Sequence, residues 1–241
     1  MLKVDFHLHT AEDPVDRITH SATDLVAHAA SLGYGALAIT PHDGQFSDPR
    51  VRAYARDLGI VLVPGIERTV EGSHVLLLNF PDTAVESVRT FEDVTRLKAQ
   101  HDGVVIAPHP FFPDSTCLRS DLARHADLFD GVEWSYFWTH GLNFNTRAAR
   151  WAEAHGKPIL GNSDLHDLRQ LGRTFSLIDA EPHPAAICDA IRQGRVVMRT
   201  QPVPIPELVQ VFGGMTVRGR KRRIMGHDSR SRAVARPGVA A

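Results

Sequence analysis

The sequence is poor in the residues that define disulfide-rich, membrane and secreted proteins. Its only cysteines, Cys117 and Cys188, are far apart and have no Cys-x-x-Cys spacing. This argues against both a disulfide framework and a thiolate zinc site, and it fits a reducing compartment. No stretch approaches the roughly 18 apolar residues of a membrane span, and no signal-like segment opens the chain. We therefore expect a cytoplasmic protein that makes no membrane contact.

Glycine-rich phosphate-binding motifs are also missing, so the sequence implies no nucleotide cofactor. The composition is 43% hydrophobic, 23% charged and 7% aromatic, which is typical of a folded enzyme and not of a disordered chain. A length of 241 residues is ordinary for one α/β barrel.

The formal net charge of -1 conceals an uneven distribution. Residues 218–241 contain eight Lys/Arg and a single acid, Asp228. We predict a folded domain over residues 1–213 and a basic, disordered tail over residues 214–241. Such a tail could bind nucleic acid, although a solvated extension is the simpler interpretation.

Histidine, in contrast, is abundant, with 14 residues and no histidine tract. His7 and His9 end an apolar run and lie two positions apart, which places both imidazoles on one face of a strand. Other apolar, strand-like runs end in a possible metal ligand in the same way. These are His42, Glu67, His109, and the pair Asp164 and His166. Glu133 also closes a predicted strand, but we assign it no function from the sequence. Each could be a cap or a surface residue, but a shared metal centre explains all of them at once.

About seven buried strands alternate with helices, which predicts α/β architecture with a parallel sheet. A barrel is favoured over an open sheet because the candidate ligands follow many strands, whereas an open sheet gathers its chemistry at one switch point. Residues 73–80, which include His74, are expected to form the second arm of a hairpin with the strand over residues 60–67.

Imidazole and carboxylate ligands without thiolate suit zinc, manganese or iron. The candidates are too many for one ion, so we expect two or three, with Glu67 as the bridging carboxylate. A centre of this kind activates water and suits the hydrolysis of phosphate esters.

The motifs resemble those of the PHP family, named for polymerase and histidinol phosphatase. They occur in order at residues 5–10, 39–43, 65–67, 72–74, 108–110 and 162–166, and the similarity spans residues 2–195. The resemblance implies a distorted seven-stranded (β/α) barrel, a di- or trinuclear metal centre and phosphoesterase activity. The ligands it implies are His7, His9, Asp16, His42, Glu67, His74, His109, Asp164 and His166.

Two departures from the family pattern stand out. The loop after the first motif is altered, so that Asp13 competes with Asp16 as the ligand from this loop. Pro41 replaces the aspartate that commonly precedes the third histidine, which removes a carboxylate beside the ligands and can change metal preference.

The leading hypothesis is a phosphoesterase that hydrolyses a small phosphomonoester with a metal-bound hydroxide, while Asp164 or His109 handles the proton. Arg17 and Arg173 are candidates for gripping the phosphate, with plain surface arginines as the alternative. The second hypothesis is a nuclease that uses the basic tail. A hydrolase of C–N bonds and a metal-binding module without turnover remain as further alternatives.

Overall fold

The structure, a computed structural model, describes residues 1–214, in which strands and helices alternate along the chain. The strands are β1 (Leu2–Leu8), β2 (Ala36–Ile39), β3 (Val61–Leu62), β4 (Gly65–Val70), β5 (Ser73–Leu78), β6 (Val104–Ala107), β7 (Gly131–Ser135), β8 (Ile159–Asn162), β9 (Thr174–Ile178) and β10 (Val196–Thr200). The helices are α1 (Ala22–Ser31), α2 (Pro49–Asp57), α3 (Asp82–Val85), α4 (Phe91–Gln100), α5 (Ser120–Arg124), α6 (Asn145–Ala154) and α7 (Pro184–Arg192). Short 3-10 turns cover Ala126–Leu128 and Leu168–Gln170, and residues 205–214 are helical.

The strands form two five-stranded sheets, in the orders β10-β9-β1-β2-β3 and β4-β5-β6-β7-β8. Each sheet is mixed: β1, β2 and β3 are parallel, as are β6, β7 and β8, whereas β9 and β5 run antiparallel to both of their neighbours. The predicted α/β class is confirmed. The expected parallel pairing is found in β1–β3 and in β6–β8, whereas the β4–β5 hairpin and the β9–β10 ribbon make both sheets mixed.

Two isolated bridges link the first sheet to both edges of the second sheet. A parallel bridge joins His42, after β2, to Glu67 in β4, and another joins Leu8 to Leu165, after β8. Both sheets and α7 also contribute to one apolar core, which we call the shared core. Its larger members include Phe6, Leu76, Leu78, Ile106, Leu160, Ile187 and Ile191. The strand pairing is nevertheless that of two sheets, and the closed barrel stays a prediction.

Local sequence explains where the elements break. The strand expected over residues 60–67 is divided into β3 and β4, because Pro64 between them has no N–H for a ladder hydrogen bond. α4 begins at Phe91 because Thr90 caps it, with a capping box closed by Asp93. The predicted hairpin is confirmed, with His74 opposite Thr69.

The described residues contain no candidate membrane span and stop at the start of the predicted tail. Within residues 1–214, no helix combines the length and the apolar character needed to cross a bilayer. Apart from Gly214, the predicted basic tail over residues 214–241 lies outside the described residues.

The contact between β8 and the β9–β10 ribbon provides a test of how the sheets meet. The N–H of Gly161 in β8 donates to Ser176 Oγ in β9 at 2.8 Å. A Cβ added at Gly161 would lie 2.7 Å from the carbonyl oxygen of Phe175 and 2.9 Å from Met198 Cγ. Since a backbone carbonyl cannot move aside, we expect Gly161→Ala to lower the free energy of unfolding by about 1–3 kcal/mol.

Urea denaturation measures this change. Gly141→Ala is the matched control, because nothing within 4 Å meets an added Cβ there. Equal stability of the two variants would contradict the close approach of β8 to the ribbon.

Candidate metal centre

The segments that follow β1, β2, β6 and β8 meet beside the β4–β5 hairpin and line a cleft of about 380 Å³. Seven of the nine predicted ligands line this cleft: Asp16, His42, Glu67, His74, His109, Asp164 and His166. The remaining two, His7 and His9, are fully buried beneath it. The structure therefore brings all nine residues together, and their role as ligands stays a prediction.

Glu67 lies at the centre of this group. Its Oε2 is 3.2 Å from His7 Nε2, 3.3 Å from His9 Nε2 and 3.1 Å from His42 Nε2. Its other oxygen, Oε1, is 2.7 Å from His74 Nδ1 and 3.3 Å from His109 Nε2. One carboxylate thus faces imidazoles on both sides, which is the geometry that a bridging ligand needs.

Two more carboxylates lie at the cleft. Asp164 Oδ1 is 3.5 Å from His7 Nε2 and 3.6 Å from His9 Nε2. Asp16 Oδ2 is 3.1 Å from His166 Nε2 and 3.7 Å from His42 Nδ1. Asp164 therefore adds an oxygen to the buried histidine pair, and Asp16 forms a separate group at the rim.

Asp13 lies behind the cleft and orients two of the imidazoles. Its Oδ2 is 2.9 Å from His9 Nδ1 and 3.0 Å from His42 Nδ1, while its Oδ1 accepts the N–H groups of Val15 and Asp16. Both rings are turned so that Nε2 points towards Glu67. Of the two competing aspartates, Asp13 thus fixes ring orientation and Asp16 faces the cleft.

Glu133, in the middle of β7, is the residue that sequence reasoning left without a role. Its Oε1 is 2.9 Å from His7 Nδ1 and accepts the side-chain amide of Asn162 at 3.0 Å, and its Oε2 accepts the backbone N–H of His109 at 2.7 Å. One buried carboxylate therefore positions two predicted ligands. The sequence carried a signal for this role, because Glu133 was expected to close a strand as the ligands do, although β7 continues to Ser135.

Backbone strain occurs at two of the predicted ligands. His109 has φ of +27° and Asp164 has φ of +47°, in the region that non-glycine residues rarely adopt. Hydrogen bonds hold both segments: Glu133 accepts the N–H of His109, and Gln170 Nε2 donates to the carbonyl of Asp164 at 3.1 Å. Strain retained in this way is typical of functional sites.

The donor set fits divalent metal ions. Within residues 1–214, neither His7 Nε2 nor His9 Nε2 has a hydrogen-bond partner, although both are buried. Each lies close to Glu67 Oε2, but outside hydrogen-bond geometry. Buried nitrogens without a partner are costly unless another species satisfies them, and metal ligation does so.

The charges of the site are strongly coupled. Burial disfavours the imidazolium form, yet the nearby carboxylates outweigh it and raise the pKa of His7, His9 and His109 well above the usual value. Burial likewise disfavours the ionised form of Glu67, but the imidazoles of His7 and its neighbours lower the pKa of that carboxyl well below its usual range. Without metal, the protonated imidazoles therefore balance the negative charge of these carboxylates.

The two predicted phosphate-binding arginines do not line the cleft. Arg17 is exposed on the loop after β1. The guanidinium of Arg173 donates to Glu207 Oε2 at 2.8 Å, within the helix over residues 205–214. Their role in phosphate binding stays a prediction.

Comparisons with known proteins agree with this geometry. Residues 143–196 match the family model described as PHP-associated. A DNA polymerase III of PolC type from Lactococcus lactis is 36% identical over 107 residues, which are 43% of this chain and 6% of that protein. This chain therefore spans only a small part of the polymerase that it matches.

Solved structures show the same fold. A two-domain protein from Bacteroides vulgatus, described as containing a predicted PHP-like metal-dependent phosphoesterase, matches with a TM-score of 0.64 and 22% identity over 89% of this chain and 69% of that chain. The lesion-specific endonuclease EndoQ of Pyrococcus furiosus matches with a TM-score of 0.56 and 17% identity, over 82% of this chain and 57% of that chain.

The contacts of Glu133 yield a first prediction for the centre. Glu133→Gln keeps the size of the side chain but removes the charge that holds His7 in place. We expect the affinity for zinc or manganese to fall about 10–100-fold, because residues that orient metal ligands have effects of this size. Isothermal titration calorimetry on the metal-free protein measures it. Glu153→Gln, on the exposed side of α6, is the control and should bind metal as the wild type does; equal affinity of all three proteins would contradict the role of Glu133.

The raised histidine pKa values predict a pH dependence of metal binding. Ligation requires neutral imidazoles, and at pH values below the raised pKa these groups are protonated, so metal must displace protons. Affinity should therefore fall as the pH is lowered, by about tenfold per pH unit for each proton displaced. Titration in buffers of different ionisation enthalpy counts the released protons. Metal binding that releases no protons between about pH 6 and 8 would contradict the pKa directions.

Proposed function

This chain belongs to the PHP family of metal-dependent phosphoesterases, and we propose that it hydrolyses a small phosphomonoester at the cleft around Glu67. The observation that carries the proposal is that the two carboxylate oxygens of Glu67 face the imidazoles of five different histidines. Several cations sharing one carboxylate account for this arrangement, whereas a single ion leaves most of the donors unused.

Three groups of donors can hold the ions. The first comprises His7, His9, Glu67 and Asp164, the second His42, Glu67 and His74 with His109 nearby, and the third Asp16 and His166 at the rim. All donors are nitrogen or oxygen, which suits zinc, manganese or iron. We propose two or three divalent ions, with Glu67 shared between the first two groups.

When bound, such ions activate water as a nucleophile and neutralise charge on the ester oxygens. The chain's own residues orient the reaction. The side chain of Asp164 is 14% exposed at the cleft, so an incoming water can reach it. The imidazoles lower the pKa of its carboxyl despite burial, which keeps it ionised, so that it can orient an incoming water by accepting its hydrogen bond. His109, on the opposite side of Glu67, is the proposed donor of a proton to the leaving oxygen, and in that role its Nε2 would not also bind an ion.

A nuclease acting on nucleic-acid ends is the second candidate, and the likeness to an endonuclease and to a polymerase favours it. The cleft itself favours a small ester. Within the described part of the chain, its lining contains neither lysine nor arginine. Binding to a nucleic-acid backbone depends on several such cationic contacts.

Two broader expectations belong to this proposal. We propose that the two linked sheets are the halves of the distorted barrel that the family resemblance implies, supported by the shared core and the bridges to both edges of the second sheet. We also propose a cytoplasmic location, on the cysteine usage alone.

The proposal predicts a separation of catalysis from folding. His9→Ala and Asp164→Asn should each abolish phosphate release, since they remove donors from the group around the buried histidine pair, while circular dichroism still reports a folded protein. A phosphate-release screen over about a hundred small esters, with zinc, manganese or iron(II) added, measures the activity. His155→Ala, at the exposed end of α6, is the control and should retain wild-type turnover. Unchanged turnover in His9→Ala would contradict the assignment.

Removal of residues 215–241 distinguishes the two candidate functions. The small-ester proposal predicts unchanged turnover of phosphomonoesters and no oligonucleotide cleavage by either form. A large loss of oligonucleotide cleavage, with small esters unaffected, would favour the nuclease.

A further inference from the structure

A second cavity of about 210 Å³ opens beside the metal cleft, and we call it the aromatic pocket. Its walls include the rings of Phe112, Phe137, Trp138, Phe144 and Phe212, and Leu142 lies at its edge. The volume is enough for a single ring system. Pockets of this type, lined by aromatic side chains next to a reactive centre, commonly bind part of a substrate.

The aromatic pocket is continuous with the cleft. Phe112, Phe137 and Phe212 line both cavities. The ring centroid of Phe112 is 6.4 Å from that of His109, whose Nε2 faces Glu67. A short linker is therefore enough to join a group bound in the pocket to a phosphate at the metal centre.

The walls favour another ring. Phe112 packs against Phe144 with centroids 5.3 Å apart and planes tilted by 54°, and Phe137 packs against Phe212 at 4.9 Å with a tilt of 44°. Such tilted pairs present both faces and edges, with which an inserted ring makes offset or edge-to-face contacts.

The polar groups of the pocket are already engaged. The indole N–H of Trp138 donates to Thr200 Oγ1 at 2.8 Å. Asp114 Oδ1 accepts both the N–H and the hydroxyl of Thr116. Within residues 1–214, no lysine or arginine lines the pocket. An anionic group would face the Asp114 carboxylate here without any lysine or arginine to pair with, and the acceptor nitrogens of a nucleobase would lose water, which is unfavourable.

One wall of the pocket is fixed to the rest of the fold. Glu207, in the helix over residues 205–214, accepts the hydroxyl of Tyr136 at 2.5 Å and pairs with Arg173. The same helix buries Val211 against Tyr136 and Phe137. Arg173 thus helps to hold the helix that carries Phe212, which explains why its guanidinium is turned away from the cleft.

We propose that the aromatic pocket binds a carbocyclic aromatic ring in the alcohol part of the substrate, so that the preferred substrates are phosphate esters of aryl-alkyl alcohols. This inference rests on the phosphoesterase activity proposed above. It names the class of alcohol, which the metal centre alone does not select.

Kinetics with paired esters test the inference. 2-Phenylethyl phosphate and ethyl phosphate have chemically similar leaving oxygens, so their kcat/KM ratio reports binding of the ring. We expect a ratio of about ten or more, as burial of one aromatic ring allows. Adenosine 5′-monophosphate should be a poorer substrate than 2-phenylethyl phosphate, because its base would lose hydrogen bonds to water.

Variants of the pocket should reduce this preference. Phe144→Ala removes a wall without touching the metal ligands, and it should lower the phenylethyl-to-ethyl ratio by about threefold or more. Leu142→Ala changes a residue that is 52% exposed, so its fold should be retained, and a smaller decrease is expected. Leu58→Ala, at a leucine that is 40% exposed in another part of the surface, is the control and should leave the ratio unchanged.

Binding of phosphonates separates this inference from the proposed activity. Calorimetry of the metal-loaded wild type with 2-phenylethylphosphonate and ethylphosphonate should show the same preference without turnover. If no ester releases phosphate but the phosphonate preference is present, the phosphoesterase proposal fails and the pocket assignment stands.

A ratio near one for both esters and phosphonates would overturn the assignment, as would a preference that Phe144→Ala does not change. Faster hydrolysis of adenosine 5′-monophosphate than of 2-phenylethyl phosphate would replace the carbocyclic ring by a nucleobase and overturn the proposed class.

Discussion

The contact between Glu67 and the surrounding imidazoles is the interaction on which both the fold and the site depend. The backbone of Glu67 pairs with that of His42, and this bridge links the first sheet to the second. Its side chain is 1% exposed and faces His7, His9 and His42 on one oxygen and two further imidazoles on the other. Buried charges are tolerated only when they are paired. Formation of the bridge between the two sheets therefore requires the imidazoles to surround Glu67.

The cluster is supported by two buried carboxylates that do not line the cleft. Asp13 orients the rings of His9 and His42, while Glu133 holds both the ring of His7 and the backbone of His109. Because these contacts fix which nitrogen of each ring faces the centre, the donors are arranged before any ion binds. We propose that the polar centre accepts phosphate esters in general and that the adjacent aromatic walls select the alcohol.

The sequence was sufficient to locate most of the site. The candidate ligands could be found because apolar, strand-like runs are recognisable in the sequence and only a few residues stand at the end of each run. The hairpin that brings His74 opposite Thr69 was also predictable. Asp13 and Asp16 could not be separated, since both follow the same strand and only the path of the loop decides which one faces the cleft. The pairing of Arg173 with Glu207 was not predictable either, because 34 residues separate them. The aromatic pocket combines loops after β6 and β7 with the helix over residues 205–214, a long-range arrangement that no local pattern indicates.

The most direct test of this account is anomalous X-ray diffraction from crystals of the protein grown with manganese or zinc, recorded on both sides of the metal absorption edge. We predict two or three anomalous peaks within the cleft, at least two of them about 3.5–4 Å apart and both bonded to Glu67. Absence of any peak at Glu67, or a single ion that leaves His42 and His74 unligated, would contradict a shared cation cluster.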